Sequence, residues 1–125
     1  MSALDPVAPD LPALSRADLI SRRAAVVGFD WDDAAGARAK VLEELAEVEA
    51  ARTPEERTDE LGDLLFAVVN WARKLGIEPE AALHQATSKF ERRFRTMEQH
   101  AGVGLPGLTL DQMEQHWQAA KRETG

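Results

Sequence analysis

Two acidic pairs, Glu44/Glu47 and Glu60/Asp63, flank the helix-break signal Thr53-Pro54 in mirror fashion. Glu47 lies six residues before Thr53, and Glu60 lies six residues after Pro54. If the chain folds back there as two antiparallel helices, Glu47 faces Glu60 and Glu44 faces Asp63. The four carboxylates then converge at one level, about 9 Å from the turn at about 1.5 Å of rise per residue. Converging carboxylates repel unless a cation sits among them, and an all-oxygen site suits a hard divalent ion, Mg²⁺ or Mn²⁺. Either pair taken singly is ordinary, because Glu-x-x-Glu is common on solvated helices. Both pairs in register about one capped turn are harder to assign to chance.

Helical phase adds detail. Glu44 and Glu47 fall about 60° apart at about 100° per residue, with Lys40 between them. Glu60, Asp63, Asn70 and Lys74 share a sector of about 80°, the only polar sector of their helix. Glu43, four residues before Glu47, either orients a ligand or water or is a solvated acid. A second constellation is Lys89-Phe-Glu-Arg-Arg-Phe-Arg95. Here Phe90 and Phe94 read as core, while Lys89, Arg92 and Arg93 form a basic patch. Arginine forks match phosphate oxygens, and the plainer alternative is a surface charge run paired with nearby Glu residues. Beside a carboxylate–metal site, phosphate binding explains the patch better, since a metal-bound polyphosphate needs cations on its far side. Trp117 and Lys121, one turn apart, either stack on and reach a nucleoside or dock the last helix.

Composition excludes other chemistries. With no cysteine there is no disulfide, thiolate metal site or cysteine nucleophile. A net charge of −7 argues against nucleic-acid polymers and anionic membranes as partners. His84, His100 and His116 lack the Glu-x-x-His spacing of di-iron bundles, and no phosphate-cradling Gly-rich loop ending in Lys-Ser/Thr occurs. No stretch reads as a signal peptide or a membrane span, so a cytoplasmic setting is expected.

The elements that must position these residues are helices. Met1 to Leu14, with Pro6, Pro9 and Pro12, reads as a tail or linker, and residues 15–125 as the single domain. A first helix is expected from Ser15, capped with Asp18, to about Val27. Gly28-Phe-Asp-Trp-Asp-Asp33 breaks it and caps a second helix, about Asp33 to Arg52, with Val41, Leu45 and Val48 on one stripe and Leu42 beside it. Thr53, Pro54 and Glu56 form a strong start for a third, which stops at Gly76. Pro79 opens a fourth that runs to about His100. A loop through Gly107 follows, then a last helix capped by Thr109 and Gln112 and ending near Arg122. No segment alternates as a strand does. The fold class is therefore all-α, a bundle of four to five helices. The third helix is apolar over well over half its circumference (Leu61, Leu64, Leu65, Val68, Val69, Trp71, Ala72, Leu75), so a homodimer with this helix near the interface is expected.

Lys40-Val-Leu-Glu-Glu-Leu-Ala-Glu47, followed by Glu60-Leu-Gly-Asp-Leu-Leu-Phe66 and Asn70, resembles the MazG family of nucleoside triphosphate pyrophosphohydrolases. The similarity extends to Gly28-Phe-Asp-Trp31, to Lys89–Arg95 and to Met113–Arg122, covering roughly residues 12 to 123. The resemblance implies an all-α fold completed by dimerisation, and Mg²⁺-dependent hydrolysis of nucleoside triphosphates to monophosphate and pyrophosphate. It implies Glu44, Glu47, Glu60 and Asp63 as metal ligands. It also implies Lys40, Asn70, Lys89 and Arg93 as contacts near the triphosphate, and Trp117 with Lys121 near the nucleoside. Lys74 and Arg92, which share those faces, join the candidate substrate contacts. Well-known members carry two such domains in tandem, and this chain resembles the C-terminal one, with residues 1–14 in the place of the linker.

The expected reaction is attack of water at the α-phosphorus, with Glu43 or Glu44 accepting the proton and Lys89 and Arg93 offsetting charge on the leaving pyrophosphate. Two rival readings are a nucleotide- or metal-sensing module without turnover and a helical dimerisation domain that shows its acidic face to a basic partner.

Overall fold

The computed structural model describes residues 2–102 and 104–125. Its elements are α1 (Ala13–Val26), α2 (Ala34–Ala50), α3 (Pro54–Lys74), α4 (Pro79–Ala101), a 3-10 turn (Leu105–Gly107) and α5 (Leu110–Thr124). No strand occurs among the described residues, so the all-α expectation holds. The residues gather into two compact units, one ending at Ala82 and the other spanning Leu83–Gly125.

In the first unit, α3 packs against α2 and, less extensively, against α1. Local chemistry sets the ends of these helices. Asp33 caps α2 by accepting from the Gly36 amide at 2.9 Å. Thr53 caps α3 by accepting from the Glu56 amide at 3.1 Å, with Pro54 in the first turn, where its missing N–H costs nothing. The expected return bond of that capping box is displaced by one residue: the Glu56 carboxylate accepts from the Arg52 amide at 2.8 Å. Both Gly28 and Gly76 adopt positive φ, 94° and 75°. Each closes a Schellman motif, in which Phe29 N–H donates to the Ala24 carbonyl and Ile77 N–H to that of Ala72.

The start of α1 departs from expectation. The helix begins at Ala13, with Pro12 at the cap and no side-chain cap. Ser15 lies inside the helix, and its amide donates to the Glu80 carboxylate from the first turn of α4 at 3.3 Å. Asp18, expected in a capping pattern, instead accepts from Arg22 at 2.9 Å. A distant acid thus takes the place of a local one at the positive end of the α1 dipole. The preceding segment is also held: the Arg23 guanidinium donates to the carbonyls of Leu4 and Pro6.

The core of this unit is small. Ala37, Ala67, Val69 and Pro79 are buried there. Leu61, Leu65, Val68 and Leu75, one stripe of α3, remain 40–53% exposed, and Leu42 and Leu45 of α2 are also exposed. The expected α2 stripe is therefore only partly covered: Val41 and Val48 are half-buried, whereas Leu45 is exposed.

In the second unit, Met97 and Ala120 are buried. Thr109 and Gln112 form both bonds of the expected capping box, at 3.2 and 2.8 Å, and α5 extends two residues past Arg122, to Thr124. Phe94 is half-buried, but Phe90, expected in the core, is 57% exposed. Its ring is covered on its flanks only, by Phe94 at 5.8 Å and Trp117 at 5.4 Å. No helix among the described residues is long and apolar enough to cross a membrane.

Candidate active site

The α2–α3 hairpin brings Glu44, Glu60 and Asp63 together, each offering a carboxylate oxygen within 4.8 Å of the others. Glu44 reaches the cluster from the α2 seam, where the residue is only 8% exposed. Glu60 and Asp63 come from adjacent turns of one α3 face. Burial of Glu60, together with the charges of Glu47, Glu44, Asp59 and Asp63, raises its proton affinity above the ordinary carboxylate value. Glu47 therefore adds negative potential at Glu60, although its own oxygens lie outside the tight group of three.

One side of the cluster is already neutralised. Lys40, one turn before Glu44, places its ammonium 3.0 Å from Glu44 Oε1 and 3.4 Å from Glu43 Oε2. The bond to Glu44, more than the field of Glu43, raises the lysine's proton affinity. Glu43 points to solvent and is mostly exposed. Three carboxylates with one lysine leave a net negative pocket, which is the charge balance a divalent cation would complete.

The spacing tests that fit. In an octahedral Mg²⁺ shell with bonds of about 2.0–2.1 Å, ligand oxygens lie about 3 Å apart when adjacent and about 4 Å apart when opposite. The three oxygens, within 4.8 Å of one another, lie less than about 1 Å from the wider of those spacings. A neutral-nitrogen or thiolate metal would find no suitable donor in an all-carboxylate set. The residues present therefore fit Mg²⁺ or Mn²⁺.

Along the same face of α3, Phe66 and Asn70 follow Asp63 and enter a cleft of about 570 Å³. Its other walls are Leu4, Ile20, Ser21 and Ala24 on one side and Gly28–Trp31 on the other. The loop is fixed by a charge network that sequence reasoning did not find. Asp30 accepts two bonds from Arg73, at 2.6 and 3.0 Å, and one from Lys74 at 3.1 Å. Lys74 also donates to the Trp31 carbonyl at 2.7 Å. The Arg73 guanidinium, with further help from Lys74 and the Trp31 amide, outweighs the burial penalty and holds the Asp30 carboxyl well below the usual carboxylate range. Asn70 joins the network: its Oδ1 accepts from Arg73 at 3.0 Å and its Nδ2 donates to the Phe66 carbonyl at 3.0 Å. Lys74 and Asn70, read from sequence as substrate contacts, therefore belong to one bonded cluster, of which Asp30 and Asn70 line the cleft. The available signal was the pair of basic residues in the last turn of α3 together with the acid of the Gly28–Trp31 motif. Their pairing depends on α1–α3 packing, which no local pattern encodes.

The remaining candidates lie in the second unit. Arg93 donates to the Gly125 carbonyl at 3.0 Å. Lys89, Arg92 and Lys121 are exposed and form no ion pair among the described residues. Trp117 is half-buried against Phe90, a contact of the helix-docking kind.

A helical hairpin that gathers carboxylates from both arms defines an all-α class with a candidate divalent-cation centre. Comparison with known proteins narrows it. Residues 35–97 match the MazG nucleotide pyrophosphohydrolase domain, and the chain belongs to that family, as its motifs imply. It is 42% identical over 123 residues to the nucleoside triphosphate pyrophosphohydrolase/pyrophosphatase MazG of Thermotoga maritima, a match covering 96% of this chain and 48% of that protein. It is 45% identical over 130 residues to the nucleoside triphosphate pyrophosphohydrolase of Escherichia coli K12, covering 98% and 49% respectively. A shorter match, 48% identity over 65 residues, covers 50% of this chain and 13% of the uncharacterized Bacillus subtilis protein YabN. The chain spans about half the length of the first two relatives.

Proposed function

We propose that this chain is a Mg²⁺-dependent nucleoside triphosphate pyrophosphohydrolase, with Mn²⁺ as an alternative ion, converting NTPs or dNTPs and water to the monophosphate and pyrophosphate. The observation that carries the reading is the convergence of Glu44, Glu60 and Asp63 across the hairpin. The names of the Thermotoga and E. coli relatives support the same substrate class. Glu44, Glu60 and Asp63 would hold the ion, with Glu47 beside them. When bound, the ion neutralises phosphate oxygens and acidifies a water.

The chain's own residues do the rest. Water oxygen attacks the α-phosphorus, the bond from that phosphorus to the bridging oxygen breaks, and pyrophosphate leaves with the electron pair. The water's proton passes to a carboxylate, Glu43 or Glu44. Lys40, paired with both, fixes their orientation. Lys89, Arg92, Arg93, Trp117 and Lys121 are proposed substrate contacts on the strength of the family motifs. The uncovered stripe Leu61/Leu65/Val68/Leu75 supports a homodimer, since an apolar helix face of that width is normally covered by a second copy or a partner. The setting we propose is the cytoplasm.

A screen of all NTPs and dNTPs with Mg²⁺ or Mn²⁺, scored for both monophosphate and pyrophosphate, tests the activity. Nucleotide binding without product would leave a sensing module instead.

A further inference from the structure

The walls of the cleft of about 570 Å³ are held in two different ways. Ile20, Ser21 and Ala24 belong to α1, and Phe66 and Asn70 to α3, so helix hydrogen bonds fix them. The Gly28–Trp31 wall is fixed by the bonds of Asp30 with Arg73 and Lys74. Leu4 is the exception, since it comes from the segment before α1, where no helix holds it. Ser2–Asp5 makes a small turn of its own. The Ser2 amide donates to Asp5 Oδ2, the Leu4 amide to Ser2 Oγ and the Asp5 amide to the Ser2 carbonyl, each at 3.1 Å. Those bonds shape the turn but do not attach it. Among the described residues, the hydrogen bonds that tie Ser2–Pro6 to the rest of the chain come from Arg23, whose Nη1 donates to the Leu4 and Pro6 carbonyls.

The surroundings of Arg23 agree. It is half-buried in the last turn of α1 and forms no ion pair among the described residues. Its guanidinium is therefore served by the carbonyls of this segment, through bonds strengthened by the donor's charge. Burial follows the same pattern: Leu4 and Val7 are half-buried, and the other residues of 2–10 are exposed. An otherwise solvated stretch thus sets Leu4 into the cleft, and one side chain keeps it there.

We propose that residues 2–7 are a strap that opens and closes over this cleft, with Arg23 as its latch and Leu4 as the side chain that closes it. A segment attached through one side chain opens locally while the helices beneath it stay folded. Opening removes one wall of the cleft and admits solvent to Ile20, which stands on α1 one turn before Arg23. The strap is independent of the pyrophosphohydrolase reading, and its test uses no turnover, so either can fail without the other.

The test follows methyl signals of Leu4 and Ile20 in the full chain, labelled at leucine and isoleucine. In the parent, the Leu4 methyls should show NOEs to other side chains of the cleft. Arg23→Gln removes the charge and keeps an uncharged amide in its place. It should lower the closed-to-open ratio of the strap by at least about tenfold, the factor that losing a hydrogen bond from a charged donor represents. The Leu4 methyl signals should then move toward the positions of an unstructured leucine and lose those NOEs. A soluble nitroxide should broaden the Ile20 methyl signal more strongly, with helix content by circular dichroism unchanged. Leu4 NOEs that persist in Arg23→Gln would overturn the latch. Leu4 methyls already unstructured in the parent would overturn the strap itself. Should Arg23→Gln fail to fold, Leu4→Ala, which lies outside the helices, reads the same point. It should increase the nitroxide broadening of Ile20, and an unchanged Ile20 signal would overturn the closing role of Leu4.

Discussion

The two ends of the α3 polar face place charge by opposite rules. Near its start, Glu60 and Asp63 meet Glu44, like charges within 4.8 Å, with Lys40 paired to Glu44. Near its end, Arg73 and Lys74 close on Asp30 with bonds of 2.6 to 3.1 Å, and each charge has its opposite. The second cluster is complete within the chain, so it holds structure, fixing the Gly28–Trp31 loop to the helix. The first is not balanced by the charges around it, which raises the proton affinity of Glu60 and supports the proposal of a cation there. A charged group's job is thus read from whether its neighbours already satisfy it.

Substitution should separate the two ends sharply. Glu60→Gln or Asp63→Asn should lower kcat for dNTP hydrolysis by at least about 10²-fold, the scale of losing one essential electrostatic group. Without metal, Glu60→Gln should also melt slightly higher than the parent, because a repulsive charge is gone; a lower Tm would contradict the reading of that cluster. Asp30→Asn should do the opposite and destabilise by about 3 kcal/mol, since Arg73 and Lys74 lose their shared partner, as read by urea unfolding at pH 7.

The acid limb gives that contrast a pH signature. The folded pKa of Asp30 lies below its unfolded value, so the unfolded chain takes up the proton first. Its stabilisation is full above about pH 4 and is lost as the pH falls below that. The stability gap between the parent and Asp30→Asn should therefore narrow toward pH 3; a gap independent of pH would mean the carboxylate charge is not what matters.

Divalent ion should act on one end only. At about a hundred times Kd, Mg²⁺ or Mn²⁺ should stabilise the parent by about 2.7 kcal/mol and leave Asp63→Asn unmoved in calorimetry. Smallest is Gly36→Ala. A Cβ at Gly36 would stand 3.2 Å from Trp31 Cδ1, so the helix-propensity gain of about 0.5–1 kcal/mol should be offset by displaced packing, with the Trp31 emission shifting while Tm stays nearly constant.

Much of this was legible from residues alone. Thr53-Pro54, Gly28, Gly76 and the Thr109/Gln112 box mark helix ends through bonds made within a few residues, and such signals need no tertiary knowledge. Glu44, Glu60 and Asp63 were legible because a three-residue connection, Ala51 to Thr53, leaves the two helices little freedom of register. What escaped was non-local. Glu80 serving the start of α1, Asp30 binding Arg73, and Arg23 holding the segment of Leu4 each join residues far apart in sequence. The exposure of Phe90 escaped for a related reason: periodicity places it on an apolar face but does not say how much chain is available to cover that face.

The brevity of the hairpin has a kinetic consequence. Glu44 and Asp63 are only nineteen positions apart, so closing the segment between them carries a small loop-entropy cost and belongs to the fast, low-contact-order part of folding. A cation that bridges them would stabilise the transition state nearly as much as the native state. Added Mg²⁺ should therefore steepen the refolding limb of a stopped-flow trace and leave the unfolding limb almost untouched.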